Sequence, residues 1–356
     1  MSVVRVAEST VEELLALVRG LQRAIRDGVV EACTRRSVEA LSQADDDASG
    51  DTIFAIDRVG EELLLSHIEP HAERLGGIVL VAEGLAGGSV LLPRGSSGAA
   101  WRLIVDPIDG TRGLMYQKRS AWVLSAVAPE RGEQTRLADS IIAVQTEIPT
   151  LKQHLSDELW AIAGRGAHAE RYDRLSGAVS RLALQPSQLP HIKHGYAMLS
   201  RFFPGARDEL AAIDDELAFA LLGPTLAGKA SCFEEQYAST GGQLYELMIG
   251  HDRFNADLRP LMAPVLAARG LPLGLCCHPY DLCSLLIARE AGVVLTDPSG
   301  SPLDAPMNID ADVAWVGYAN ASLRRNIEPV LQAALRRRGL LEDAAAPSKA
   351  PDTLGS

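Results

Sequence analysis

The strongest chemical signal in the chain is the string Trp101-Arg-Leu-Ile-Val-Asp106-Pro-Ile-Asp109-Gly110-Thr111. An apolar strand runs straight into Asp-Pro-x-Asp-Gly-Thr, where Pro107 and Gly110 force a sharp turn. Two carboxylates three residues apart on a bend can face one pair of hard cations, and the Ile108 carbonyl between them offers a further oxygen of the kind Mg²⁺ accepts. A helix beginning after Gly110 would aim the amides near Thr111 at the same point, where they would hold a phosphate oxygen. The ordinary reading of an isolated Asp-x-x-Asp is an Asp-capped turn ahead of a helix, but the six-residue string is far more specific than that spacing alone.

Three other strings compete for attention. Gly223-Pro-Thr-Leu-Ala-Gly-Lys229-Ala230 nearly spells a nucleoside triphosphate loop. Ala230 lacks the hydroxyl that would bind Mg²⁺ and Pro224 denies the cradle an amide, so a solvent-exposed loop is expected. Cys283 and Arg289 have the spacing of thiol phosphatases, yet the residues between them are apolar and continue a helical pattern, which predicts a buried helix with an ordinary thiol. Cys276, Cys277, His278 and Cys283 match no usual zinc spacing, and packed core thiols are the expectation.

Asp106-Pro-Ile-Asp-Gly-Thr111 resembles the signature of the inositol monophosphatase family. That family lies within the Mg²⁺-dependent, lithium-sensitive phosphatase superfamily, which also contains fructose-1,6-bisphosphatase and bisphosphate nucleotidases. Other stretches match in the right order: Asp51 and Asp57 ahead of a helix, a strand ending in Glu83, the hairpin-like Glu158 to Ala167, and Asp281 opening a helix that closes on Glu290-Ala-Gly292. The resemblance covers about Asp51 to Leu335. It implies a layered α-β-α-β-α sandwich and makes Glu83, Asp106, the Ile108 carbonyl, Asp109 and Asp281 the ligands of two or three Mg²⁺ ions. It further implies that Thr111, with Asp51 and Glu83, prepares the attacking water. Asp109, Gly110, Thr111 and Asp281 would contact the phosphoryl group or substrate.

The chain also departs from the family. Gly84 stands where a second acid is common after the first Glu, Gly113 and Leu114 replace the usual Asn and aromatic, and Tyr280 replaces Trp before Asp281. Inositol phosphatases carry an acid seven residues before that Asp, and here the residue is Gly274. The stretch from His251 to Leu275, with Arg253, Asn255, Asp257 and Arg259, looks inserted and could fold over the pocket. The expected activity is therefore Mg²⁺-dependent hydrolysis of a small phosphorylated polyol, sugar or nucleotide. The alternatives are inositol-1-monophosphatase proper, or an inactive phosphatase fold that serves as a binding protein.

These groups need elements to position them. Thr10-Val-Glu-Glu13 reads as a capping box before a helix whose apolar face carries Val11, Leu14, Leu15, Val18, Leu21 and Ile25. A polar stretch from Ser42 to Gly50 leads to a second helix over about 57–68, stopped near Pro70. Ile78–Ala82, Leu103–Val105, Ala121–Ala128 and Ile141–Val144 read as buried strands. After an unresolved middle come a helix over about 280–291, strands Val293–Leu295 and Val313–Val316, and a final helix from Asn320. Interspersed elements without a strict βαβ rhythm predict an α+β architecture. One phosphatase domain is expected over 1–342, in halves of about 1–190 and 191–342, with a disordered tail over 343–356.

With 34 Lys+Arg against 46 Asp+Glu, the formal charge of −12 supplies no general attraction for a nucleic-acid polymer or an anionic membrane. No span is apolar enough to cross a bilayer, the N-terminus shows no export signal, and five unevenly spaced cysteines fit reduced thiols. A cytoplasmic location follows as the expectation. The partner is a small phosphorylated metabolite, with a homodimer left open.

Overall fold

The apolar spacing near the N-terminus forms α1 (Glu8–Arg35), which buries Leu14, Val18, Leu21, Ile25 and Val29 along one stripe. The structure is a computed structural model that describes residues 6–35, 44–46, 52–54 and 57–342. Asp51 and the expected tail over 343–356 lie outside the described residues, as does most of Ser42 to Gly50. α1 starts two residues before Thr10, where the Thr10 and Val11 amides already bond to the Ala7 carbonyl, so the expected capping box lies inside the helix. A hairpin of β1 (Ala44–Asp46) and β2 (Thr52–Phe54) precedes α2 (Asp57–Ala72). That helix runs past Pro70, the expected stop, because proline in a last turn removes only one amide donor.

Next come β3 (Ile78–Ala82), β4 (Ser89–Leu92), β5 (Trp101–Asp109), the short α3 (Thr111–Met115) and β6 (Ala121–Pro129). β7 (Ile142–Ile148), β8 (Leu155–Ile162), β9 (Ala167–Asp173) and β10 (Val179–Leu182) follow. These eight strands form one sheet in the order β10-β9-β8-β7-β6-β5-β3-β4, in which β3 and β5 are parallel and every other pair is antiparallel. Ala121–Ala128 are all buried, which is why β6 reads as a continuous apolar run: both faces of the sheet are covered.

The stretch that the sequence left unresolved contains β11 (Tyr196–Leu199), α4 (Arg207–Leu222), α5 (Thr240–Ile249), β12 (Asp252–Asp257) and α6 (Ala263–Ala268). α7 (Leu285–Glu290), β13 (Val294–Thr296), β14 (Trp315–Tyr318) and α8 (Ala321–Arg337) follow. The expected single helix over 280–291 is two pieces, a 3-10 turn at Pro279–Leu282 and then α7. The Asp281 carboxylate accepts the His278 amide at 2.6 Å and closes that turn on itself. Asn320 caps α8 as its position suggests, accepting from the Ser322 and Leu323 amides.

β11, β12, β14 and β13, in that order, form a second sheet. α1 and α2 cover one face of the large sheet, α5 and α7 lie between the two sheets, and α4 and α8 close the outer side of the small one. This is the layered α-β-α-β-α arrangement. One apolar core lies under α1 and α2; the other fills the space on both sides of the small sheet. Fully burying residues such as Leu21, Ile25 and Leu124 stabilises the fold by about 1.5–3 kcal/mol each. Among the described residues, no helix is long and apolar enough to cross a membrane.

Candidate metal centre

The end of β5 is bent by its own sequence. Asp106 stands opposite Leu124 on β6 and Asp109 opposite Trp122, so three steps along β5 match two along β6 and the strand carries a bulge. Pro107 cannot donate to the ladder, and the freed turn is held locally. The Ile108 amide donates to Asp106 Oδ1 at 2.9 Å, and Thr111 Oγ1 donates to the Ile108 carbonyl at 2.8 Å. Gly110 turns the chain through a left-handed conformation, φ 95°, that few other residues tolerate. Gly60 on α2 lets that helix approach, since a Cβ there would come within 2.7 Å of Pro107 Cβ.

Asp109 is held from the other side by α5. Its carboxylate accepts from Ser239 Oγ at 2.8 Å, the Thr240 amide at 3.2 Å and the Gly241 amide at 2.6 Å. A carboxylate at a helix N-terminus is stabilised by the unpaired amides and the dipole there. Ser239 also caps α5 through the Gly242 amide at 2.9 Å. Sequence reasoning missed this partner. The available signal was Ser239-Thr-Gly-Gly, a capping residue and two glycines directly ahead of an apolar helical run.

The 3-10 turn at Pro279–Leu282 brings Asp281 to the same place. One carboxylate oxygen from each of Asp106, Asp109 and Asp281 lies within 4.8 Å of the others, and no other such group of His, Cys, Asp or Glu is found among the described residues. Glu83, one residue past β3, lines the same cleft together with Ile108, Gly110 and Thr111. Every predicted site residue among the described ones therefore faces one cavity of about 70 Å³.

The charges are mutually unfavourable. Burial, then the carboxylates of Glu83, Asp109 and Asp281, push the Asp106 carboxyl well above the usual range, although the Ile108 amide opposes this. Burial pushes Asp109 up to about 6 despite its three hydrogen bonds from Ser239, Gly241 and Thr240. Asp281 keeps 15% of its side chain exposed and is also pushed well up, by burial and by Asp109, while the His278 amide and Arg259 pull it down. A buried carboxylate set with this excess of charge fits hard divalent cations, which would keep all of its members ionised.

The opposite wall comes from the segment that looked inserted. Arg259, only 8% exposed, pairs with the buried Asp257 and donates through Nη1 to the Leu275 carbonyl at 2.9 Å. Its guanidinium lies 4.4 Å from the Phe202 ring centroid and 5.3 Å from that of Phe203, and the Arg112 guanidinium lies 5.1 Å from the Phe203 centroid. Arg253, the other candidate in that segment, is directed elsewhere and donates to the His191 and Lys193 carbonyls. The negative charge of Asp257, on the end of β12, also reaches Asp281. Phe202 and Phe203 left no sequence signal, because an aromatic pair in an irregular loop looks like any other apolar packing.

The competing strings resolve as expected. Residues 223–230 are exposed and α5 does not begin until Thr240, so no helix follows the loop to complete a phosphate cradle. Cys277 and Cys283 are buried thiols, while Cys276, also buried, borders the cleft.

Comparison with protein-family models found no match, and comparison with curated proteins found none either. Solved structures do match along nearly the whole chain. Leishmania major fructose-1,6-bisphosphatase aligns with a TM-score of 0.66 at 12% identity, covering 93% of this chain and 96% of that one. The extragenic suppressor protein SuhB of Bartonella henselae aligns at 0.61 and 14% identity, covering 90% and 98%. An IMPase of Thermotoga maritima aligns at 0.58 and 15%, covering 91% and 99%. Together with the five alternating layers, these likenesses identify the fold of this chain as that of the inositol monophosphatases and fructose-1,6-bisphosphatases.

Proposed function

We infer that the chain is a divalent-cation-dependent phosphatase that hydrolyses a small phosphorylated metabolite. The observation that carries this reading is the convergence of Asp106, Asp109 and Asp281 within 4.8 Å at the base of an open cleft. Fold alone would not support it, since one fold hosts many activities. Mg²⁺ suits the donor set, which is all oxygen: Glu83, Asp106, the Ile108 carbonyl, Asp109 and Asp281 would hold it. When bound, a pair of such ions lowers the pKa of water and neutralises charge on the attacking and leaving oxygens of an in-line displacement.

The chain's own residues do the rest. In the reaction a P–O ester bond breaks, a water oxygen bonds to phosphorus, and the leaving alcohol takes up a proton. Thr111, its hydroxyl pointed by the Ile108 carbonyl, and Glu83 on the cleft wall orient that water, with Asp51 as the third member of the set. The Gly110 and Thr111 amides meet the phosphoryl oxygens. Arg259, stiffened by Asp257 and the Phe202 face, fixes the orientation of the alcohol portion. Because Gly274 offers no side chain, inositol monophosphate should be a poor substrate beside sugar or nucleotide phosphates.

The test is phosphate release with and without Mg²⁺, on wild type and Asp106→Asn. Asn keeps the acceptor for the Ile108 amide and nearly the same volume but removes the charge. Turnover should vanish while the circular dichroism spectrum stays unchanged. A folded, active variant, or full activity in EDTA, would overturn the assignment. Ca²⁺ should inhibit, since its longer bonds and higher coordination number relax the geometry.

A further inference from the structure

Register across the large sheet sets Asp106 on β5, Leu124 on β6, Gln145 on β7, Leu159 on β8 and Ala169 on β9 side by side on one face. All five are buried, and Gln145 completely so. A leucine at 145 would continue the apolar row and would bury no polar group. The glutamine instead donates through Nε2 to the Gly241 carbonyl at 2.8 Å, while its Oε1 has no hydrogen-bond partner among the described residues. Turning the amide round does not help, because a carbonyl only accepts. Core packing therefore does not account for this residue type, and its one bond leads to the helix that caps Asp109.

We propose that Gln145 is a positioning residue of the metal centre: it anchors the first turn of α5 to the large sheet and so sets where the donors to Asp109 stand. The Gly241 residue that it holds gives its own amide to Asp109 at 2.6 Å, beside Ser239 Oγ and the Thr240 amide. Leu124 beside Gly241, and Trp122 against Tyr245 at 4.6 Å between ring centroids, favour burial of α5 but no single register. A hydrogen bond weakens steeply off its line and does fix a register. Tyr245 supplies one such bond at the next turn, donating to Asp157 at 2.6 Å; Gln145 supplies it at the turn that carries the donors. The expected effect on Mg²⁺ rests on the phosphatase reading, whereas the effect on the helix turn does not.

The experiment uses the full chain and Gln145→Leu. Gln22→Leu is the control, since Gln22 is also fully buried with an unpartnered Oε1 but donates to Ser125 Oγ and the Val144 carbonyl on the opposite face of the sheet. In metal-free protein, residue-resolved hydrogen exchange at the Gly241 amide should quicken about tenfold in Gln145→Leu, matching one lost hydrogen bond, and should not quicken in Gln22→Leu. Mg²⁺ affinity by calorimetry at pH 7 should fall about tenfold in the first variant and hold in the second. The urea midpoint of Gln145→Leu should match or exceed that of the wild type, because an apolar side chain of similar size replaces a poorly paired amide. A merely structural residue would show the reverse, a lowered midpoint with Mg²⁺ affinity intact. Gln145→Met stands in if the leucine variant does not fold, and failure of both to fold would overturn the proposal. So would unchanged exchange at Gly241, or quickened exchange with wild-type Mg²⁺ affinity. A wild type that binds no Mg²⁺ would overturn the phosphatase reading instead, and the exchange result would still decide whether Gln145 holds the turn.

Discussion

The carboxylate cluster makes the stability of the metal-free chain depend on pH in a direction opposite to that of most acidic residues. An unfolded Asp109 releases its proton near 3.8, while the folded one holds it to about 6. Between those values the folded state binds more protons, so raising the pH favours unfolding. The change costs the ionised folded form roughly 3 kcal/mol for this carboxyl alone, which is fully lost above about pH 6. Asp106 and Asp281 are shifted in the same direction and add to the effect. Divalent cations bound to the ionised cluster should return that energy. The quantity to measure is the difference in unfolding free energy between Mg²⁺ and EDTA, from urea denaturation across pH 4 to 7.5. Subtraction removes Asp214 and Asp252, whose carboxyls also rise to about 6 but lie outside the cluster. The Mg²⁺ increment should be small near pH 4 and grow by about 3 kcal/mol or more by pH 7. A flat or absent increment would refute both the electrostatic reasoning and the metal assignment.

Other outcomes follow from single contacts. Gly241→Ala places a Cβ 2.6 Å from Leu124 Cδ2 and 2.9 Å from Asp109 Oδ2, so it should cost about 1–3 kcal/mol by thermal melting and weaken Mg²⁺ binding as α5 shifts away. Arg259→Met should cost about 3–5 kcal/mol because it strands the buried Asp257, and Asp257→Asn in the same chain should recover part of that loss, a coupling read from a double-mutant cycle. Leu124→Ala, in the layer between β6 and α5, should cost about 2–5 kcal/mol in urea denaturation without altering the carboxylates themselves.

The half of the site that the sequence made legible is the half built by local rules. A strand, a proline, a glycine and two aspartates within six positions leave few conformations, and Asp106 to Thr111 turned out to be a bulged strand end facing the cleft. Asp281 and Glu83 were found through a resemblance, since nothing in their own neighbourhoods says that strands and turns so distant in sequence will meet. What stayed hidden is what depends on tertiary contact alone. Ser239 and Gly241 look like any helix start until Asp109 arrives to accept from them, and Phe202 shows no role until Arg259 lies across it. Boundaries failed where a single hydrogen-bonding group intervened: the Asp281 carboxylate accepting the His278 amide splits the expected helix, and the Ala7 backbone carbonyl starts α1 early.

The Asp109 cap on α5 also bears on how the chain folds. Asp106 and Asp109 belong to a strand whose neighbours are close in sequence, whereas α5 and Asp281 belong to the later part of the chain. The large sheet can therefore assemble with Glu83, Asp106 and Asp109 at its strand ends while water still screens their repulsion. Docking of the second sheet through α5 dehydrates them and sets Asp281, a fourth carboxylate, against them. The penalty falls late, on the step that joins the two halves, and loop closure over so long a span adds its own entropic cost. Divalent cations present at that step would steady the docked state without affecting the early sheet, so the site completes the fold at the same moment that it becomes able to bind.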